Sequence, residues 1–415
     1  MNSDVIIVGG GPAGLSAALF AKAKGKSVLL LEHNEKLGKK LYITGKGRCN
    51  VSNLCDVEEF LKQVPRNPRF LYASLHFLPP SKLRDWLFSL GCPTVVERGR
   101  RVFPESQKAS DVTKTLASGL KPEEIRLHSE VTSLIMEEGR IIGVKLASGE
   151  EIRTKAVVLA TGGLSYPVTG STGIGHRLAG EAGHTVTPLS PSLTGFNTKD
   201  QWPKALQGLS LKNVALHASW PKKNRYSEQG ELLFTHFGIS GPLTLTLSSL
   251  LAGTDVTEAE VFLDLKPALE HATLANRLSN DIVSSGKKTV AGLMPSYLPS
   301  SLAALFPELI EVDGGKVLNQ LSAKERERII TGLKQLPLRL ESHRAFNEAV
   351  VTRGGVCVKE VNPKTLESKL VQGLYFAGEI LDVDALTGGY NLQIAFSTGA
   401  LAGASAANNL DQRPE

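Results

Sequence analysis

Asp4-Val-Ile-Ile-Val-Gly-Gly-Gly-Pro-Ala-Gly14, with Leu15-Ser-Ala-Ala-Leu-Phe-Ala-Lys-Ala-Lys-Gly25 and Ser27-Val-Leu-Leu-Leu-Glu32 behind it, decides the fold. The first run is short, apolar and β-branched, as a buried strand requires. A glycine turn follows, then a helix-forming run that stops at Gly25, then a second apolar strand. Strand, turn, helix and strand within roughly 30 residues make a βαβ unit. Inside the turn, Gly9-x-Gly11-x-x-Gly14 has the spacing of a dinucleotide fingerprint. Gly9 permits the tight turn, Gly11 lets backbone approach a pyrophosphate, and Gly14 lets helix and strand pack closely. The helix N-terminus then faces the phosphate charge. Glu32, eighteen residues after Gly14, is placed to accept hydrogen bonds from an adenosine ribose. A ligand-free glycine turn is the competing reading, and the flanking strands and helix disfavour it.

Later segments return to this unit. Short strands with turn signals run through 125–154, at Ile125-Arg-Leu-His, Val131-Thr-Ser-Leu-Ile-Met, Ile141-Ile-Gly-Val-Lys-Leu and Glu151-Ile-Arg-Thr, and read as an antiparallel meander. Ala156-Val-Val-Leu-Ala160 is a further buried parallel strand, and the Thr161-Gly-Gly163 turn after it allows a second close approach to a ligand. Paired with the first fingerprint, that turn favours FAD over NAD. Near the C-terminus, Leu374-Tyr-Phe-Ala377 leads into Gly378-Glu379 and Asp382. Gly388-Gly-Tyr-Asn-Leu-Gln393 then opens an apolar helix over 394–407, whose N-terminus would stabilise negative charge on a reduced flavin. Between these parts the composition shifts. Strands and turns fill 190–264, and helical patterns fill 266–336.

Composition narrows the function classes. The chain has 415 residues, 41% hydrophobic and 21% charged, which fits a folded protein of two or three domains. No apolar run reaches the length of a membrane span, and the apolar N-terminus lacks a basic leader region, so a cytoplasmic location is expected. Cys49, Cys55, Cys92 and Cys357 form neither a CxxC pair nor a zinc pattern, so no metal and no disulfide framework is expected. The net charge of +6 is compatible with an anionic partner such as RNA.

The sequence resembles the BaiN-like (YhiN-like) family of FAD-dependent oxidoreductases. The stretches that carry the resemblance begin with the first fingerprint and Lys36-Leu-Gly-Lys-Lys-Leu-Tyr-Ile-Thr-Gly-Lys-Gly-Arg-Cys-Asn50. They continue through Ala160-Thr-Gly-Gly163, Gly170-Ser-Thr-Gly173 and Leu233-Phe-Thr-His-Phe-Gly-Ile-Ser-Gly-Pro242. Gly354-Gly-Val356, Thr365-Leu-Glu-Ser-Lys369, and Gly373 to Glu379 through Gln393 complete the set. Gly173-Ile-Gly-His176 departs from relatives that carry an Asp between the glycines. The resemblance implies an α/β protein with a Rossmann-like FAD-binding domain of glutathione-reductase type. A β-meander decorates that domain, and an inserted β-barrel-like domain with a helical subdomain interrupts it. The expected boundaries are 1–189 and 353–415 for the FAD-binding domain, 190–264 with 337–352 for the barrel-like insert, and 265–336 for the helices.

Carried over by position, FAD is expected to meet Gly9, Gly11, Ala13, Gly14, Glu32, Lys40, Gly45, Arg48 and Asn50. Val131 (through its backbone), Thr161, Gly162, Gly378, Glu379, Asp382, Gly389, Tyr390, Asn391 and Leu392 complete the expected contacts. The catalytic candidates are Arg48, as positive charge, and Cys49 and His236, as proton donors. Cys49 reads equally as a small packing residue and His236 as a structural histidine, while Tyr166 and Tyr390 add hydroxyls. With a single fingerprint and no redox CxxC, NAD(P)H is expected as a transient co-substrate without its own domain. Family members are linked to dihydrouridine formation in ribosomal RNA, to reduction of bile-acid C=C bonds and to aminoacetone oxidation. The basic insert favours the first: Lys204, Lys212, Lys222, Lys223 and Arg225 would contact ribosomal RNA phosphates, with Trp202, Trp220 and Tyr226 interleaved to stack on bases, while a solvated basic face whose aromatics belong to the core is the competing reading. A small-molecule reductase or amine oxidase is the alternative, and a folate-dependent tRNA-modifying flavoprotein shares only the first fingerprint.

Overall fold

A computed structural model describes residues 3–411. The chain forms two compact units, Met1–Ser192 with Ala345–Glu415, and Leu193–Arg344.

In the first unit, the β-branched run becomes the strand Val5–Val8, every residue of it buried. It is the middle of a five-stranded sheet ordered 374–376, 156–159, 5–8, 28–31, 125–126, and every neighbouring pair is parallel. Sheets of this kind are buried on both faces, which is why these strands read as continuous apolar runs. Ile125–Arg126 joins this sheet at its edge, beside Val28–Leu31, and not the meander that its turn signals suggested. Two residues are too few for alternation to distinguish the two. The meander itself comprises Val131–Glu137, Arg140–Leu146 and Glu151–Arg153, all antiparallel.

The helix Pro12–Lys22 begins with proline at its first turn, where no backbone donor is wasted. The helix Tyr390–Asp411 lies along it, longer than its apolar core predicted. Their approach is set by glycine. A Cβ on Gly399 would stand 2.2 Å from the Ala13 carbonyl oxygen, and one on Gly403 2.1 Å from that of Ala17. The Ser16 hydroxyl donates to the Phe396 carbonyl at 2.9 Å across the same contact.

The second unit carries a seven-stranded antiparallel sheet in the order 336–338, 260–264, 210–220, 224–235, 238–240, 196–198, 340–343. Its two edge strands are separated in sequence by Arg339 alone. Chain connectivity therefore brings the edges together and curls the sheet into a barrel-like form. The helix Pro242–Leu251 packs on one face, and the helices His271–Ser285, Ser300–Leu309 and Ala323–Lys334 share the same hydrophobic core. The architecture is thus α/β, with a Rossmann-like parallel sheet, a meander, and an inserted barrel-like sheet with helices.

Gly403→Leu is expected to force the two helices apart and cost about 3 kcal/mol. Thermal unfolding followed by circular dichroism should fall by roughly 5–10 °C. Gly180→Leu, on an exposed turn of helix where a Cβ meets nothing within 4 Å, should leave the melt nearly unchanged. Equal melts for the two variants would contradict the packing account.

Candidate flavin site

All of the expected cofactor residues lie in the first unit, and its backbone draws several segments together. Gly9 has φ +107°, and a Cβ there would stand 2.5 Å from the Ala160 carbonyl oxygen, so the Gly9 turn and the Thr161-Gly162 turn abut. A Cβ on Gly14 would overlap the Gly9 carbonyl at 1.9 Å, which makes glycine obligatory for the turn itself. Gly11 differs. Its φ of −80° suits any residue, and a Cβ there would meet nothing within 4 Å. The protein alone does not require glycine at 11, whereas a pyrophosphate laid across the turn would. Gly378 closes on the same helix, with a Cβ there only 2.8 Å from Ala13 Cβ.

Glu32 is buried, and its orientation is fixed. Oε2 accepts from Gly10 N–H at 2.8 Å, while Oε1 accepts from the backbone and side-chain amides of Asn34 at 2.9 and 2.8 Å. The carboxylate thus stands at the phosphate-binding turn, where ribose hydroxyls would arrive. Val131 is buried at the first residue of the meander.

The segment Thr44–Asn50 is a strained loop. Gly45, Lys46, Gly47 and Cys49 all have positive φ, Lys46 and Cys49 as non-glycine residues. Such strain costs roughly 1–3 kcal/mol per residue and persists where surrounding packing imposes it, commonly at functional sites. Cys49 supplies that packing. It is fully buried, and burial pushes its thiol up to about 12, with the Thr44 hydroxyl pulling weakly the other way. The structure places the Cys49 side chain in the hydrophobic core, sealed from solvent, where desolvation disfavours the thiolate. Arg48 Nε donates to Gln107 Oε1 at 2.7 Å, its Nη2 pairs with Glu97, and its guanidinium lies 4.2 Å from the Phe103 ring centroid. Lys46 is exposed.

Lys40 and Glu379 meet. Lys40 Nζ donates to Glu379 Oε2 at 2.7 Å and to the Ser165 hydroxyl at 2.5 Å. Glu379 also accepts from Ser165 Oγ and Thr352 N–H, each at 2.8 Å. Burial would raise the Glu379 carboxyl, but Lys40 and these donors hold it below the ordinary value. Sequence reasoning missed Ser165 and Thr352, because no motif marks a residue that acts through a partner elsewhere in the chain, 214 positions away for the Ser165 hydroxyl and 27 for the Thr352 backbone N–H.

The C-terminal part is stitched to this loop. Gly389, at φ +98°, could not bear a Cβ, which would stand 2.3 Å from Ser52 O and 2.8 Å from Asn50 Oδ1. Asn391 spends its side chain on the Ala385 backbone, accepting from N–H at 2.9 Å and donating to the carbonyl at 2.7 Å. Asp382 offers its carbonyl to Asn67 at 2.8 Å. The Tyr390 ring meets Phe60 edge-on, and burial raises its hydroxyl. Leu392 packs against the core from a half-buried position. A further anchor, Asp384, is bound bidentately by Arg66 at 2.7 and 2.8 Å and by the Ser192 hydroxyl at 3.1 Å.

The donor set fits FAD. Asn50 Oδ1 and Thr161 Oγ1 are buried acceptors with no partner inside the protein, a state that native structures rarely leave uncompensated. Both belong to turns at which the expected cofactor contacts converge.

The profile of the HI0933-like protein Rossmann domain family matches residues 3–405. The chain belongs to this family. It is an FAD-dependent oxidoreductase. It is 31% identical over 405 residues to a 3-dehydro-bile acid delta(4,6)-reductase of Clostridium scindens, covering 97% of this chain and 98% of that one. It is also 31% identical over 410 residues to a ribosomal RNA dihydrouridine synthase of Haemophilus influenzae, covering 95% and 96%. Among solved structures, a 3-ketosteroid-delta4-(5alpha)-dehydrogenase from Rhodococcus jostii RHA1 superposes with a TM-score of 0.50 at 15% identity, over 98% of this chain and 97% of that one, a likeness of fold.

The second unit holds the remaining candidates. His236 is exposed on the tight turn between the strands Asn224–Thr235 and Gly238–Ser240, edge-on to Phe237. Lys212, Lys222, Lys223 and Arg225 are exposed and Lys204 is half-buried. Of the two readings of the insert's aromatics, the structure favours core packing over base stacking. Tyr226 is buried with its hydroxyl donating to Leu243 O at 3.2 Å, Trp202 packs edge-on against the buried Phe234, and Trp220 leans on the same core. Strand alternation turns Tyr226 and Trp220 inward, and Trp202 packs from the short helix Trp202–Ala205, directions that spacing to nearby lysines could not reveal. Among the described residues, no helix is long and apolar enough to cross a membrane, and all four cysteines are free.

Two substitutions separate the roles. Gly11→Val should leave the circular dichroism spectrum intact, because its side chain meets no protein atom, and abolish retained flavin absorbance; full FAD occupancy would contradict the pyrophosphate reading. Cys49→Ala should keep turnover within about twofold while lowering stability by about 1–2 kcal/mol in a denaturant titration. A turnover loss of a hundredfold or more would restore the thiol to catalysis.

Proposed function

We propose that the protein reduces the C5=C6 bond of a uracil in 23S ribosomal RNA, giving dihydrouridine, with NAD(P)H as the electron source. Bound FAD supplies hydride from N5 to an electron-poor alkene carbon. The chain's own residues do the rest. The fingerprint turn and Glu32 hold the adenosine diphosphate half. Lys40 and Glu379 neutralise one another beside the turn at 161–165, so neither charge is left bare there. Lys46, exposed on the strained loop, contributes positive charge, while Arg48 is paired with Glu97. Hydride addition at one carbon leaves a proton to be delivered to its neighbour.

The observation that carries this reading is the near full-length likeness to a relative named as a ribosomal RNA dihydrouridine synthase, joined to a net charge of +6 and exposed cations on the insert. A second reading, reduction of a conjugated C=C bond in a steroid-like small molecule, is favoured by the equal identity to the bile-acid reductase. The two share the hydride-plus-proton chemistry and differ in whether the alkene belongs to a nucleic acid or to a small molecule.

Mass spectrometry of nucleosides from 23S rRNA tests the choice. Deleting the gene from its host should remove dihydrouridine from that RNA, and the wild-type gene should restore it. An unchanged dihydrouridine content in the deletion strain would overturn the proposal in favour of the small-molecule reading.

A further inference from the structure

The hairpin of the second unit joins strands Ser210–Trp220 and Asn224–Thr235, and its tip is Pro221-Lys222-Lys223. Both lysines take positive φ, 68° and 61°, and the Asn224 side chain closes the turn on the Pro221 carbonyl at 2.6 Å. Two successive left-handed residues are the natural place for Asn-Gly. Lysine at both positions costs stability that the commoner residues would spare. Both side chains are exposed, and Arg225 follows them on the outer face.

Register defines that face. Tyr226, Leu216, Ala218, Val261 and Leu263 are buried on the side that packs against Pro242–Leu251. On the opposite side one row runs Ser227, His217, Phe262 and the next runs Arg225, Ser219, Glu260. His217 and Phe262 stack with their rings 4.8 Å apart and only 18° from parallel, and both are half-buried. Ser227 Oγ lies 2.9 Å from His217 Nδ1, fixing the imidazole plane. One row further along, Asp264 is buried and paired with Lys334 at 2.5 Å, so the helical part covers the sheet there and leaves the next two rows open. Glu228 and Glu260 offset part of the local charge, against the three cations at the tip.

We propose that this open end of the barrel is a single-stranded RNA contact: Lys222, Lys223 and Arg225 take phosphates, and the His217–Phe262 stack takes a base. The surface rests on the RNA-substrate reading above and names the side chains by which that substrate is gripped. A flat aromatic pair beside a basic tip suits an unpaired strand, whose bases can splay and stack while its backbone runs along the cations. The stacking role falls to this pair because the nearby tryptophan and tyrosine rings point into the core.

The test uses the holoenzyme and a fluorescein-labelled oligouridine strand, with anisotropy measured across a salt series. A K222N/K223G double variant gives the turn its preferred residues, so it should melt no lower than wild type and retain FAD. It should bind the strand more weakly, with the slope of log K against log salt reduced by about 1.4, or about 0.7 per lost phosphate contact. Phe262→Leu should weaken binding by about tenfold at any salt and leave the slope unchanged. Wild-type affinity and slope in both variants, with dihydrouridine still formed by the wild-type protein in cells, would overturn the surface and leave the substrate reading standing. Wild-type protein that neither binds the strand nor forms dihydrouridine would overturn both.

Discussion

The close contact between the helices Pro12–Lys22 and Tyr390–Asp411 underlies the flavin-binding unit. At Gly399 and Gly403 the two backbones come within the space of one missing methyl group. That approach brings the last segment of the chain against the first. It seats Gly378 on Ala13, sets Gly389 against the Ser52 backbone and the Asn50 side chain, and so gathers expected cofactor residues more than three hundred positions apart in sequence. Interiors are close-packed, so an added side chain at either glycine would displace the whole C-terminal segment.

On that frame the site is built mostly of backbone turns, with few side chains committed to chemistry. Glu32, Asn391 and Asp384 are each held by hydrogen bonds that fix a loop or a carboxylate before any ligand arrives. Preorganisation of this kind lowers the ordering entropy lost on binding. The Thr44–Asn50 loop adds stored strain, held in place by a buried Cys49. Charge is arranged with the same economy, since Lys40 and Glu379 satisfy each other and two hydroxyl-bearing neighbours.

What the sequence made legible follows from range. The Gly9–Gly14 turn, its strands and its helix are encoded within thirty residues, and local pattern was enough to read them. Unbroken apolar strands such as Ala156–Leu159 were equally plain, because a strand buried on both faces has no polar positions to obscure it. Ile125–Arg126 was misassigned because two residues hold no period. The thiol of Cys49 was ambiguous because burial depends on distant residues, and the inward turn of Tyr226 depends on strand register. Ser165 and Thr352 meet Glu379 in a partnership that exists after folding and leaves no trace in spacing.

The central claim, that both ends of the chain jointly hold one FAD, is tested most directly on the purified native protein. Cofactor released by denaturation should be identified and counted by chromatography and absorbance. The account predicts FAD, close to one per chain, with a resolved flavin spectrum before release. Protein that remains colourless after incubation with excess FAD, or that releases FMN in its place, would contradict it.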